Sequence, residues 1–589
     1  MFQNELASAT EHLIKAIEAA DLPTLKSIEW TPTPFQGDWG YGTAACFQIA
    51  AAEARAGATI KVTKRAHELA ESLVHRIASI SEFAHIEAVQ GYINIIIPAA
   101  KYAQTVIDQV LIQGDRYGGG ERKQTSLMVE FSQPNTHKAF HVGHLRSAIL
   151  GDTLCRILEY AGYDIVRANY IGDIGLHVIK WLWNYQKYHL GEKPERDITR
   201  WMGELYAESS KRVEEDPETE EEIRELYTRW DQRDPEIVEL WRQTRQWSME
   251  GFDEIYRKLG IHFDRVYSNS EAEFPGKKIV QELVEKGIAT DERPEGPVIV
   301  KIDELLGLKK EKYRVLVILR SDNTALYSTL DLALARIKFS EYPELQRSIY
   351  VVDVRQSLHF QQVFKTLELA EYAWADKCQH IPYELVNLPG NVVFASREGT
   401  VVLLEDLMRE AIARARAVVE EKNPALDQAE KDRIAESVGL GALKYPMLAR
   451  ENNRIVTFDW DSALDFNGQA APYIQYAHVR ANSILRKLDI PLPESKKPSH
   501  ELHTAEIHLI DWISRFPGEV QRAAADYKPL VIANTAYELA RAFSDFYMQC
   551  PVLKAEPSIT DFRLRLVAAT RQAIANSLNL LGIRAPDIM

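Results

Sequence analysis

At 589 residues the chain is too long for a single hydrophobic core and points to about three domains. Its 46% hydrophobic and 26% charged composition is that of an ordinary globular protein, and no apolar run is long enough to span a membrane. A net charge of −15 excludes a uniformly basic nucleic-acid binder, but residues 421–589 carry 20 Lys/Arg against 21 Asp/Glu, so a local basic face for RNA stays open. Met1-Phe2-Gln3-Asn4-Glu5 lacks the charged and apolar regions of a signal peptide. Cys46, Cys155, Cys378 and Cys550 stand apart without metal-type pairing, which predicts reduced, buried cysteines in a cytoplasmic protein with no metal site.

Residues 1–122 read as an α/β domain. A helical start at Leu13, Ile14 and Ile17 is followed by Pro32, Pro34 and Phe35, then by Gly37-Asp38-Trp39-Gly40-Tyr41-Gly42, which reads as a turn. Gly91 to Ile97 reads as a strand, and Gly118-Gly119-Gly120 as a flexible linker.

Residues 123–405 contain the most informative stretch. Leu127 to Phe131 is a short apolar run with the character of a buried strand. After a polar loop with Pro134 and Asn135 come His141-Val142-Gly143-His144 and apolar residues at helical spacing from Leu145 to Ala161, stopped by Gly162. Ile165 to Tyr170 reads as a second strand. The result is a βαβ unit with two histidines where a phosphate would meet the start of a helix. On the tetrad alone, a pair of surface histidines near a helix cap is the simpler reading; the βαβ frame turns it toward nucleotidyl transfer. Imidazoles at n and n+3 can both face the oxygens of an α-phosphate under attack, and Gly143 would let an adenine ring approach the backbone.

A charged helical insertion over about 195–265 follows. There Ile237, Leu240, Trp241, Thr244 and Trp247 recur at 3–4 spacing, and the tryptophans are expected to be helix core. The acidic run Glu218 to Glu222 reads as solvated surface. Further strands of the same domain are expected at 298–300, 315–319 and 349–352. Residues 406–589 read as helical to the end, with helices over 411–421, 470–488, 508–525, 530–547 and 559–581, broken by a loop from Pro491 to Pro498.

The segments Glu130-Phe131-Ser132-Gln133-Pro134-Asn135, Lys138, His141 to Ser147 and Gly151-Asp152 resemble arginyl-tRNA synthetases, in which they form the first class I signature. The likeness continues through Asn169 to Gly175, Arg320-Ser321-Asp322, Tyr327, Asp331-Leu332-Ala333, Val352 to Gln356, His359-Phe360, Phe458 to Asp461, Tyr473 to Arg480 and Leu581-Gly582-Ile583, covering nearly the whole chain in order. The resemblance implies an α/β fold: a Rossmann-type catalytic domain, an N-terminal domain that contacts the outer corner of tRNA, and a helical anticodon-binding bundle.

It also implies roles. His141 and His144 stabilise the transferring phosphoryl group and, with Gly143, Phe394 and Ala395, hold ATP. Glu130 and Asp331 face the guanidinium of arginine, whose planar fork of donors needs carboxylates, and Tyr327 packs alongside. Asn135 and Gln356 hold the amino and carboxylate groups. Ser132, Asn169, Gly172, Asp173 and Gly175 line the pocket. The second class I signature, K-M-S-K-S, is replaced here by Val393-Phe394-Ala395-Ser396-Arg397, so both lysines are lost. The resemblance assigns the leaving pyrophosphate to Lys138 and Arg397. The expected partners are tRNA(Arg), L-arginine and ATP with Mg2+ as substrate complex, with no tightly bound cofactor, no membrane and a monomeric state. Two rivals remain: a small-molecule nucleotidyltransferase, which would not need the flanking domains, and a tRNA-binding paralogue without catalysis, favoured only by the missing lysines.

Overall fold

A computed structural model describes residues 2–33, 35, 37–78, 85–216, 218–388, 392–393, 403–488 and 491–589. They form two compact units, one of residues 1–117, 481–517 and 541–573, the other of residues 118–480, 518–540 and 574–589.

In the first unit a four-stranded antiparallel sheet has the order Thr31–Thr33, Trp39–Thr43, Tyr92–Ile97, His85–Val89. The turn expected at 37–42 is therefore mostly a strand, and a fully buried one. Glycine serves close approach there: a Cβ on Gly42 would fall 2.6 Å from Oδ1 of Asn94, on the neighbouring strand. Trp39 and Tyr102 stack at 4.4 Å, with Phe2 on the other side of Tyr102 at 4.7 Å.

The second unit is built on a parallel sheet whose spatial order is Cys378–Tyr383, Arg347–Asp353, Ser126–Glu130, Asp164–Ile171, Arg265–Ser268. Counted along the chain this is 5-4-1-2-3, the doubly wound order, and it reverses at Ser126–Glu130. Ligands bind outside the C-terminal ends of strands at such a switch point. Leu127 to Glu130 are buried, as a strand covered on both faces must be.

The runs at 298–300 and 315–319 are strands, as expected, and they form a separate antiparallel sheet with Thr290–Asp291. Val315 and Val317 are exposed while Leu316 is buried, an alternation that suits a sheet wetted on one face. One expectation is corrected: the Gly118–Gly120 segment is not a free linker. Gly120 N–H donates to Tyr160 O at 2.7 Å, and a Cβ at Gly120 would strike Ala161 O at 2.3 Å.

The insertion forms helices Ile198–Glu215, Glu218–Asp231 and Pro235–Leu259. Its tryptophans do build a core: Trp230 and Trp247 are buried with Met202, Leu205 and Ile237 and with Trp181 and Trp183 of the preceding helix Leu176–Tyr188, while Trp201 and Trp241 are partly buried against the same cluster. Beyond residue 403 the long helices are Leu404–Lys422, Gln428–Leu448, Ala471–Leu485, Thr504–Asp526, Pro529–Gln549 and Pro557–Leu580. The second of these is absent from the sequence reading because Gly439, Gly441 and Pro446 interrupt its pattern. Gly439 is needed for close packing, since a Cβ there would lie 2.8 Å from the backbone of Ala411. Among the described residues no helix is long and apolar enough to cross a membrane.

Candidate active site

Strand Ser126–Glu130 ends at the switch point, and the loop after it leads into helix Val142–Tyr160. Ser132, Gln133 and His137 in this loop have φ of 78°, 47° and 59°, a left-handed conformation that is uncommon for side-chain-bearing residues and concentrated at functional sites. Surrounding bonds hold it: Ser132 N–H to Ser147 Oγ at 3.0 Å, Gln133 N–H to Asn169 Oδ1 at 3.1 Å, and His137 N–H to Ser248 Oγ at 3.0 Å.

His141 caps the helix. Its Nδ1 accepts the N–H of Gly143 at 3.1 Å, so a neutral ring carries its proton on Nε2 and presents a donor. The His141 and His144 rings stack at 4.0 Å. Burial, followed by the charge of Lys138, lowers the pKa of His141; burial, then His141 and Lys138, lowers that of His144 further. Both rings are therefore neutral hydrogen-bonding groups at neutral pH. The group closest to Gly143 is His141: a Cβ there would lie 2.7 Å from Cε1 of that ring, so the cap itself requires glycine. Lys138 lies over the Tyr206 ring at 4.8 Å, and its field reaches His141, His144 and His177.

Buried neutral histidines have a consequence for stability. His137 is fully buried between the hydroxyls of Thr136 and Thr244, and burial drives its pKa down; His177 is lowered to about 4, mainly by burial. When the folded pKa is the lower one, the unfolded chain takes up protons first. Stability is then full above the ordinary value of 6.5 and falls as pH drops below it. His177 alone accounts for on the order of 2 kcal/mol between pH 6.5 and about 5. Urea unfolding should give a lower midpoint at about pH 5 than at about pH 8; equal midpoints would contradict neutral burial.

Across the sheet, helix Tyr327–Glu341 presents Tyr327, Asp331, Leu334 and Lys338 at i, i+4, i+7 and i+11, one face of a helix. Lys338 is 0% exposed and its Nζ donates to Glu130 Oε2 at 2.5 Å, while also lying over the Tyr350 ring at 3.8 Å. The other oxygen of Glu130 accepts from Gln133 Nε2 at 3.1 Å. Glu130 is thus a buried, paired carboxylate. Asp331 is bonded through Oδ2 to His359 Nε2 at 2.5 Å. Tyr327, 69% exposed, and Gly175 line an open cavity of about 730 Å3 with Arg224, Tyr227 and Arg320. Gln356, at the end of the turn Val354–Gln356, is exposed.

Other predicted pocket residues bond inward. Ser132 Oγ and Tyr256 OH lie 2.7 Å apart, and Asn169 donates to the same Tyr256 hydroxyl at 3.1 Å. Asp173, fully buried, pairs with Arg245 at 2.7 Å and accepts from the N–H and Oγ of Ser270. Asn135 lies across Gly172, where a Cβ would collide with its Oδ1 at 2.1 Å. These residues hold the loops that surround the site. Phe394, Ala395 and Arg397 lie outside the described residues. Leu403, where description resumes, bridges to His141, and Leu404 N–H donates to Phe140 O at 3.0 Å.

The sequence reading gave no role to Lys338 or Arg146. The signal that could have found Lys338 is its spacing, which puts it on one helical face with Tyr327 and Asp331. Arg146, fully buried, donates to a cluster of carbonyls including Arg454 O at 2.8 Å, and burial pushes its pKa down to about 10. No sequence signal marks those carbonyls.

Residues 106–461 match the family model for the catalytic domain of class I tRNA synthetases (R), and residues 474–589 match the DALR anticodon binding domain. An arginine–tRNA ligase of Clostridium perfringens is 34% identical over 570 residues, 96% of each chain. The chain belongs to the arginyl-tRNA synthetase family. A family member from Halothermothrix orenii, also an arginine–tRNA ligase, aligns over 100% of both chains at 31% identity. Among solved structures, the arginyl-tRNA synthetase of Thermus thermophilus matches with a TM-score of 0.75 at 26% identity over 100% of both chains. That of Plasmodium falciparum, at 22% identity and a TM-score of 0.73, covers 99% of this chain and 98% of its own and shares the fold.

Proposed function

We infer that the chain is an arginine–tRNA ligase. It activates L-arginine with Mg-ATP and transfers the arginyl group to the 3′ end of tRNA(Arg). The observation that carries this reading is the pairing, at one switch point, of a neutral two-histidine cap with a carboxylate, Asp331, on the helix opposite. The arginine carboxylate attacks the α-phosphorus in line; the new C–O–P bond forms as the bond to pyrophosphate breaks. His141, donating from Nε2, and His144 receive the charge that grows on the phosphoryl oxygens. The terminal ribose hydroxyl of tRNA then attacks the acyl carbon, and AMP leaves. Positioning and charge stabilisation suffice, without a protein nucleophile.

On the amino-acid side, Asp331 supplies the charge opposite the guanidinium. Glu130, neutralised by Lys338, forms the floor, with Tyr327 alongside and Asn135 and Gln356 toward the amino and carboxylate groups. Residues 1–122 serve as the tRNA-contacting extra domain, 123–405 as the catalytic domain and 406–589 as the anticodon-binding domain, a division supported by the DALR match at 474–589. The protein acts as a cytoplasmic monomer.

Lys138 and Arg397 neutralise the leaving pyrophosphate in place of the missing lysines. Lys138→Ala should therefore slow adenylate formation at least about tenfold with little change in arginine or tRNA binding, because the charge is needed as the P–O bond breaks. An unchanged single-turnover rate with tRNA present would remove Lys138 from the chemistry.

Pyrophosphate exchange, run with and without tRNA, tests the whole reading. Arginine-dependent exchange that requires tRNA supports the ligase. Retained tRNA binding without any exchange would identify a non-catalytic tRNA-binding protein, and exchange with another acid but not arginine would identify a different nucleotidyltransferase.

A further inference from the structure

Tyr170 stands two residues before Gly172, on the strand Asp164–Ile171 that flanks Ser126–Glu130 at the switch point. Side chains alternate along a strand, so Tyr170 shares a face with Ala168, as Glu130 does with Met128 on the neighbouring strand. This face meets helix Tyr327–Glu341. Tyr170 packs in one cluster with Met128, Ala168, Leu334 and Phe339. On that helix Leu334 lies one turn after Asp331 and one turn before Lys338, which reaches Glu130. The phenol therefore lies on the sheet face that carries Glu130, beneath the helix that carries Asp331 and Lys338.

The hydroxyl at its tip is buried and has no hydrogen-bond partner among the described residues. Its surroundings are acidic. Burial pushes its pKa well above the ordinary phenol value, and the charges of Asp331, Glu130 and Asp173 act in the same direction. Glu130 is neutralised by Lys338 and Asp173 by Arg245, but the group bonded to Asp331 is an imidazole, His359, on one oxygen only. A buried polar atom without a partner is costly, and so is a largely buried carboxylate whose only partner among the described residues is an imidazole. A planar cation with several N–H donors would satisfy both at once: one edge to Asp331, one N–H to the phenol oxygen.

We propose that Tyr170 is a specificity-determining residue of the arginine pocket, its hydroxyl oxygen accepting an N–H of the substrate guanidinium while Asp331, oriented by His359, accepts others. This rests on the arginine-ligase reading. A compact ammonium such as that of lysine, reaching Asp331, would leave the phenol unpartnered. Tyr170 thus adds a neutral, geometry-sensitive contact to the charge that Asp331 supplies, and favours a fork of donors over a point charge.

Tyr170→Phe removes only the oxygen. An unpartnered hydroxyl contributes nothing to the empty fold, so the unfolding midpoint of the substrate-free variant should stay the same or rise. In tRNA-dependent pyrophosphate exchange the KM for arginine should rise about tenfold or more, that for ATP should stay within about twofold, and the preference for arginine over lysine should shrink. An unchanged arginine KM would overturn the assignment. So would a parallel rise in both KM values with a lower unfolding midpoint, which would make the hydroxyl structural. If the wild-type chain exchanges no arginine, the proposed function fails and takes this assignment with it; if the wild type exchanges and Tyr170→Phe matches it, only this assignment fails.

Discussion

His144→Ala will lower the rate of adenylate formation by roughly 100-fold or more, with ATP affinity changed only slightly. The ring is buried, neutral and stacked on His141 at 4.0 Å, and its Nδ1 is buried without a partner among the described residues. Such a group is already desolvated and fixed before substrate arrives. Its hydrogen bond therefore gains most when charge develops on the phosphoryl oxygens, and that gain appears in turnover and not in ground-state binding. His141→Ala should act similarly and also loosen the helix start, because the ring accepts the N–H of Gly143. Single-turnover adenylation with tRNA present measures both. A near wild-type rate in His144→Ala would remove the histidine pair from the chemistry.

The second large effect concerns stability. Lys338→Met will destabilise the protein by about 3–5 kcal/mol, because it leaves Glu130 charged and unpaired in a site where the carboxylate is only 2% exposed. Adding Glu130→Gln to the same chain should recover most of that loss, since an amide tolerates burial better than a lone charge and Gln133 Nε2 already lies 3.1 Å from Oε1 of Glu130. The comparison is made by urea unfolding of the two single variants and the double variant, which isolates the pair's coupling. Additive losses in the double variant would show that Glu130 and Lys338 stabilise the fold independently.

Much of this arrangement was legible in the sequence, for identifiable reasons. The βαβ unit announces itself by a change of hydrophobic period between Leu127–Phe131 and Leu145–Ala161, and the observed strand Ser126–Glu130 and helix Val142–Tyr160 follow it closely. Asp331 and Tyr327 share a helical face as their spacing requires. What escaped depends on contacts between residues distant in the chain. Glu130 reads as an arginine ligand, but its partner Lys338 lies 208 residues away and takes up its charge. Asp173, Asn169 and Ser132 read as pocket residues, but their partners Arg245, Ser270 and Tyr256 lie far along the chain and carry no local signal. The glycines at 40 and 42 signal a turn locally, whereas tight strand pairing requires them.

The most direct test of the central claim is transfer of labelled arginine to tRNA. Purified chain, Mg-ATP, labelled arginine and tRNA(Arg) should yield label attached to the 3′ end of tRNA, with AMP and pyrophosphate released, and none when arginine is replaced by labelled lysine. Absence of labelled tRNA from a folded chain that still binds tRNA(Arg) would contradict the account.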